Sequence, residues 1–216
     1  MPNPQLSADA DFFSLFPALT PPVILRGKRG ADADAEFDAL CRSNPDWRIE
    51  QTAEGEIIVM PPTGGETGYR NSAINAQLYL WAESAGLGRS FDSSTLFRLP
   101  NGAKRSPDAA WVRRERINAL SDAQCRGPLP LCPDFLIELR SPTDDLADLA
   151  AKMQEYCANG LRLGWLIDPE SRRVFVYDAE IEVQTLENPT EISGDPVLPG
   201  FVLKMKSVFA SLVGED

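Results

Sequence analysis

The stretch "CPDFLIELRSPTDDLADLAAKMQEY", Cys132–Tyr156, holds an apolar run with an acid inside it. Phe135, Leu136, Ile137 and Leu139 make a run of strand length, the pattern of a strand covered on both faces. Glu138 interrupts it, and a carboxylate in such a place is costly unless something pairs with it. Downstream, Ser141-Pro142-Thr143-Asp144 predicts a helix start, with hydroxyls able to cap and proline favoured in the first turn. The helix is expected to run to about Asn159 and to stop at Gly160. Its buried stripe would be Leu146, Leu149, Met153 and Tyr156.

The rest of the pattern alternates between strand and helix. "WRIEQTAEGEIIVMPP" reads as a hairpin, Trp47–Glu50 and Glu56–Met60 about a turn at Gly55. "TGGETGYRNSAINAQLYLWAESAGLG" reads as a helix, with Thr63 and Glu66 as a capping box, Ile74, Leu78, Trp81 and Ala85 as its apolar positions, and Gly86 and Gly88 as its end. Short helices are expected at Asp34–Arg42, in "RRERINAL" and "SDAQC", and near Lys206–Leu212; strands are expected at Arg89–Asp92, Thr95–Leu99, Ala109–Val112, Asp134–Leu139, in "LRLGWLID", "RRVFVYD" and "EVQTL". Residues 1–30 are proline-rich and read as a mobile arm with one helical turn near Phe12–Leu15, leaving 31–216 as the folded domain. The order of elements implies an α/β fold with a mixed sheet.

Composition narrows the chemistry. The 216 residues suit one domain, and 43% hydrophobic content allows a sizeable core. No run of apolar residues is long enough for a membrane span, and no basic residue precedes the first apolar segment, so a cytoplasmic location without membrane partners is the expectation. The cysteines, Cys41, Cys125, Cys132 and Cys157, form no CxxC pair, and there is no histidine. That excludes a Ser-His-Asp triad, a histidine-liganded zinc and a histidine base. The net charge of −11 repels nucleic acid overall and attracts cations.

Strand alternation locates a candidate site. Glu138 shares a face with Leu136 and Arg140, and Asp108, in "RSPDAAWV", shares one with Ala110 and Val112. If the two strands are neighbours, Asp108 and Glu138 meet near one end of the sheet. Two carboxylates so placed repel, so one takes a proton or a cation sits between them. Magnesium, commonly held by one or two carboxylates and water, suits the second case. Lys152 lies on the border of the predicted helix stripe, and its stem can lie along apolar surface while the ammonium reaches the strand end. The plainer alternatives are a structural salt bridge from Glu138 to Arg140 or Lys152, a turn role for Asp108 and a capping role for Glu66.

The segments "RSPDAAWV", "CPDFLIELRSPTDDL", "KMQEYCANG" and "RLGWLIDPESRRVFVY" resemble the Uma2 family of endonuclease-like proteins, over roughly residues 35–212. The resemblance implies the PD-(D/E)xK, restriction endonuclease-like fold, a mixed sheet flanked by helices. It implies Asp108 and Glu138 as catalytic acids and ligands of Mg²⁺ or Mn²⁺, with Glu66 as a further ligand. Arg140 stands where the motif lysine would follow, and the lysine role passes to Lys152. Arg140, Gln154, Tyr156 and Arg105 become candidate substrate contacts, with Arg113, Arg114 and Arg116 as a phosphate rim. Many members carry a histidine where Thr67 stands here. The implied function is a Mg²⁺-dependent endonuclease acting on DNA, as a homodimer. The alternatives are a catalytically silent nucleic-acid-binding or protein-interaction module, and a phosphodiesterase for RNA or a small nucleotide.

Overall fold

The computed structural model describes residues 23–26, 31–60, 62–178 and 181–213. The central layer is a six-stranded sheet. β4 (Gly88–Asp92), β7 (Ala109–Arg113), β8 (Phe135–Leu139), β9 (Leu163–Asp168), β10 (Arg173–Asp178) and β11 (Gln184–Glu187) lie side by side in that order. Only β8 and β9 are parallel; the other pairs are antiparallel. A parallel pair needs a crossover, here the helix Leu146–Ala158. β8 and β9 are buried along their whole length, which is why they read as nearly unbroken apolar runs.

A second sheet, β1 (Val23–Arg26), β3 (Glu56–Met60), β2 (Arg48–Gln51), β6 (Lys104–Arg105) and β5 (Phe97–Arg98) in that order, is antiparallel throughout. The expected hairpin is present, with Gly55 at φ 91° supplying its turn. Val23–Arg26, assigned from the sequence to the arm, instead forms an edge strand on β3. The turn expected near Phe12–Leu15 lies outside the described residues. A third, two-stranded ribbon pairs β12 (Glu191–Ser193) with β13 (Val202–Lys204).

The helices are α1 (Ala31–Ser43), α2 (Gly65–Ala85), α3 (Arg114–Asn118), α4 (Asp122–Cys125) and α5 (Leu146–Ala158). Ile74, Leu78 and Ala82 of α2 pack with the β12–β13 ribbon and the Val197–Phe209 segment on one face of the central sheet. Met153 and Tyr156 of α5 pack on the other face with Ala110, Val112, Leu136 and Leu166. Phe37 of α1 packs against Ile49, Ile57 and Val59 of the second sheet.

Three local expectations need correction. The N-cap of α2 is Gly64 without a side-chain bond, and Glu66 pairs with Arg70 rather than closing a capping box. α5 begins at Leu146, because the Asp145 carboxylate accepts from the Ala147 and Asp148 N–H groups, while Ser141–Asp144 is a turn closed by the Ser141 N–H on Asp144. The segment Lys206–Leu212 is not a helix: Phe209 N–H bonds Met205 C=O in a single turn whose apolar residues fill the core.

Gly88 is where β4 meets β7 most closely. A Cβ there would lie 2.2 Å from the Val112 carbonyl oxygen and 2.6 Å from the Trp111 ring. Gly88→Ala is therefore predicted to destabilise the fold by about 2–4 kcal/mol. Gly127→Ala, where nothing lies within 4 Å, serves as the control. Thermal melts check both, and an unchanged midpoint for Gly88→Ala would show that the contact relaxes freely.

Candidate active site

The chain passes from the second sheet to the central one through Ser106-Pro107-Asp108, between β6 and β7. The register Ala109↔Ile137, carried one step further, sets Asp108 opposite Glu138. Both are buried, at 5% and 2% exposure. Asp108 is held from three sides. Its Oδ2 accepts the Leu139 N–H at 2.8 Å, and its Oδ1 accepts from Arg48 at 3.2 Å and from the Asn71 amide at 3.3 Å. Asn75, one turn along α2, donates to the Asp108 backbone carbonyl at 2.9 Å.

Glu138 is gripped through Oε1. Lys152 Nζ lies 2.9 Å from it, and the Tyr156 hydroxyl donates to it at 2.9 Å. The same ammonium lies 2.9 Å from Oε1 of Glu50, a buried carboxylate on β2. Glu50 also accepts the Ser106 N–H at 3.0 Å and pairs with Arg105 at 3.3 Å. Arg48 and Glu50 are two apart on β2, so both side chains leave the same face, toward this seam. Arg48 adds a bond to the Ser106 carbonyl. Lys152 thus links an acid of the central sheet to an acid of the second sheet.

The charges do not share protons equally. Burial pushes the Glu138 carboxyl up to about 7; Lys152 pulls against this, while Asp108 and Glu50 add to it by repulsion. Burial also acts on Glu50, but Lys152, Arg48 and Arg105 together with the Ser106 N–H overcome it and hold that carboxyl down, at about 2. Lys152 is raised: burial opposes its charge, yet Glu138 and Glu50 outweigh burial. It therefore stays an ammonium. Two of its three N–H groups point to Glu50 and Glu138, which leaves one for a water or a phosphate oxygen.

The residues singled out in the sequence divide accordingly. Asp108, Glu138 and Lys152 come together. Tyr156 joins them, fully buried, with its hydroxyl donated to Glu138. Arg105 is not a phosphate contact: its guanidinium, 9% exposed, is locked between Glu50 and Glu155, the latter at 2.6 Å. Arg113 and Arg116 pair with Asp134, just before β8 and so at the far end of that strand from Glu138; they form no rim. Arg114 is exposed on α3. Gln154 is exposed, about 200° round α5 from Lys152. Arg140 bonds Asp168 at 3.0 Å and the Asp144 carbonyl at 3.3 Å. Glu66 is bound to Arg70, and with Arg140, Asp168 and Glu170 it lines a cleft of about 260 Å³. Among the described residues no group of three or more carboxylates or thiols is placed to hold a metal, so Glu66 does not complete a three-acid set.

Four participants escaped sequence reasoning: Arg48, Glu50, Asn71 and Asn75. The available signals were the strand alternation of Arg48 and Glu50 and the i, i+4 spacing of the two asparagines.

A likeness to known proteins fits this geometry. The Uma2 family profile, described as "Putative restriction endonuclease", matches residues 34–206. The chain belongs to the Uma2 family. A solved structure, titled a putative nuclease belonging to DUF820 from Anabaena variabilis, is similar at TM-score 0.64 and 22% identity, covering 74% of this chain and 89% of that one. At that identity the likeness shows the shared fold. No curated protein matches the chain. The Uma2 match includes both β2, with Arg48 and Glu50, and α5, with Lys152, so the seam lies wholly inside the family region.

The raised Glu138 carboxyl predicts a pH dependence. Its proton is held more tightly in the folded state, so its contribution to stability is complete below the ordinary value of 4.5 and is lost as pH rises through about 7. Glu138→Gln, melted in chelator, should lose less stability than wild type between pH 5 and pH 8. At pH 8 it should gain about 1–3 kcal/mol relative to wild type. Equal losses for the two proteins over that range would contradict a buried proton on Glu138.

Proposed function

We propose that this Uma2 member is a divalent-cation-dependent endonuclease that hydrolyses phosphodiester bonds in DNA. The reading is carried by the convergence of Asp108, Glu138 and Lys152 at one end of the central sheet. The donors there suit a hard cation. Two carboxylates supply oxygen, and the Asn71 Oδ1, next to Asp108, is buried without a hydrogen-bond partner. Asp108 and Glu138 would hold Mg²⁺ or Mn²⁺. When bound, such an ion supplies positive charge at the phosphate and makes water more acidic.

The protein's own groups do the rest. Lys152 offers its remaining N–H to the attacking water or to a phosphate oxygen, as a fixed cation whose proton is retained. Glu50 and Glu138 hold that ammonium from two sides, so little reorganisation is needed when substrate arrives. Tyr156 fixes the Glu138 rotamer, and Leu139 N–H fixes Asp108. Arg140 takes no part as a base, because a guanidinium stays protonated and this one is spent on Asp168. A purely structural role explains the seam less well. A buried array of acids and cations adds less stability than apolar packing of the same volume.

One observation favours a second reading, a nucleic-acid-binding module without cleavage. Both oxygens of Asp108 already accept protein donors, and Arg48 already neutralises it. The readings separate when plasmid and single-stranded oligonucleotides are incubated with the protein in Mg²⁺, Mn²⁺ or EDTA. The expected result is metal-dependent cutting, reduced at least ~100-fold in Asp108→Ala and Glu138→Ala and roughly 100- to 1,000-fold in Lys152→Ala. Binding without cutting in any metal would establish the silent module. Calorimetric titration with Mn²⁺ should give heat in wild type and none in either acid variant.

A further inference from the structure

Helix α2 carries a polar line that leads out of the seam. Asn71 donates to the Asp108 carboxylate, Asn75 donates to the Asp108 backbone carbonyl, and Tyr79 follows at the same four-residue spacing. Residues so spaced stack along one face of a helix, about 6 Å apart. Tyr79 is 55% exposed and stands at an open cleft of about 380 Å³. The cleft is lined by Asn75, Tyr79, Ser90, Phe91, Asp92 and Thr95.

Its β4 lining is paired with the strand that follows Asp108. Phe91 pairs with Ala110 and Asp92 with Ala109, the residue after Asp108. The cleft therefore shares Asn75 with the Asp108 backbone and lies on the α2 side of the sheet end that carries Asp108. It combines an exposed ring with short polar groups and no cation. Asp92 is fixed by a tight turn: its Oδ1 accepts from Ser94 N–H, Ser94 hydroxyl and Thr95 hydroxyl. Those three bonds leave Oδ2 as an acceptor. Asn75 uses its amide N–H on the Asn71 and Asp108 carbonyls, which leaves its Oδ1 as a second acceptor. Phe91 packs edge-on against Phe97 at 5.6 Å on the other face of the sheet, which anchors the β4 backbone under the cleft.

We propose that this cleft is a nucleobase subsite, in which Tyr79 stacks on an unpaired base next to the scissile phosphate and Asp92 and Asn75 accept from its exocyclic amino group. The inference rests on the nuclease reading and adds to it a substrate class: a strand whose bases are accessible at the cut. A phosphate is disfavoured in this cleft by Asp92, whereas a neutral aromatic face is welcome, since stacking tolerates any base. The free oxygens of Asp92 and Asn75 favour bases with an exocyclic amine, adenine, cytosine and guanine, over thymine.

The test uses the full chain in Ca²⁺, with fluorescence anisotropy of short labelled single strands. Wild type should bind dA- and dC-containing strands more tightly than dT strands, and all of these more tightly than a strand with abasic residues. Tyr79→Ala should weaken binding of base-containing strands roughly 5- to 100-fold and leave the abasic strand unchanged; Tyr79→Phe should retain wild-type affinity. Equal binding by wild type and Tyr79→Ala overturns the subsite while leaving the nuclease reading intact, since metal-dependent plasmid cutting is scored separately. Absence of any binding by wild type overturns the subsite, and joined to an absence of metal-dependent plasmid cutting it overturns the nuclease reading as well. A change of oligomeric mass in Tyr79→Ala, read by light scattering, would instead make this face a contact between copies and overturn the subsite.

Discussion

One ammonium holds the two halves of the molecule in register. Lys152 sits between Glu138 of the central sheet and Glu50 of the second sheet, at 2.9 Å from each. Neither acid would be tolerable in its buried strand without it. Each depends on the others: the lysine keeps its charge because two acids face it, and Glu50 keeps its charge because three cations face it. Removing Lys152 or Glu50 takes a principal partner from a buried charge, so the arrangement behaves as one unit.

The surrounding fold can be understood as support for that unit. The parallel β8–β9 pair requires a crossover, and the crossover helix starts where Asp145 caps it. That start fixes the phase that turns Met153 and Tyr156 into the core and brings Lys152 to the seam. On the opposite side, α2 changes character along its length. Asn71 and Asn75 face the site, and Ile74, Leu78 and Ala82 face the apolar core. One helix therefore both anchors the sheet and positions a carboxylate.

Some of this was legible in the sequence. Glu138 was conspicuous because a strand covered on both faces leaves no ordinary reason for an acid. Asp108 followed once β7 and β8 were taken as neighbours, and Lys152 followed from helical phase. Arg48 and Glu50 were not legible, because a strand face turned toward a polar site carries the same alternation as one turned toward water. The same ambiguity misled the reading of Arg105, Arg113 and Arg116: a basic residue near a strand end looks identical whether it meets phosphate or a buried acid. A helix is expected near Lys206–Leu212, yet Met205, Val208 and Phe209 are seated in the core by a single turn.

The three-residue passage from β6 to β7 has a mechanical consequence. Ser106-Pro107-Asp108 leaves no slack between the sheets, and its first residue is bonded to Glu50 and Arg48 while its last is bonded to Leu139. A strain that separates the sheets at this crossing therefore reaches the Asp108 backbone directly. The amino-terminal sheet is in this sense a clamp on the carboxylates: a fragment trimmed to the central sheet would lack the Arg48 and Glu50 contacts that hold Asp108 and Lys152.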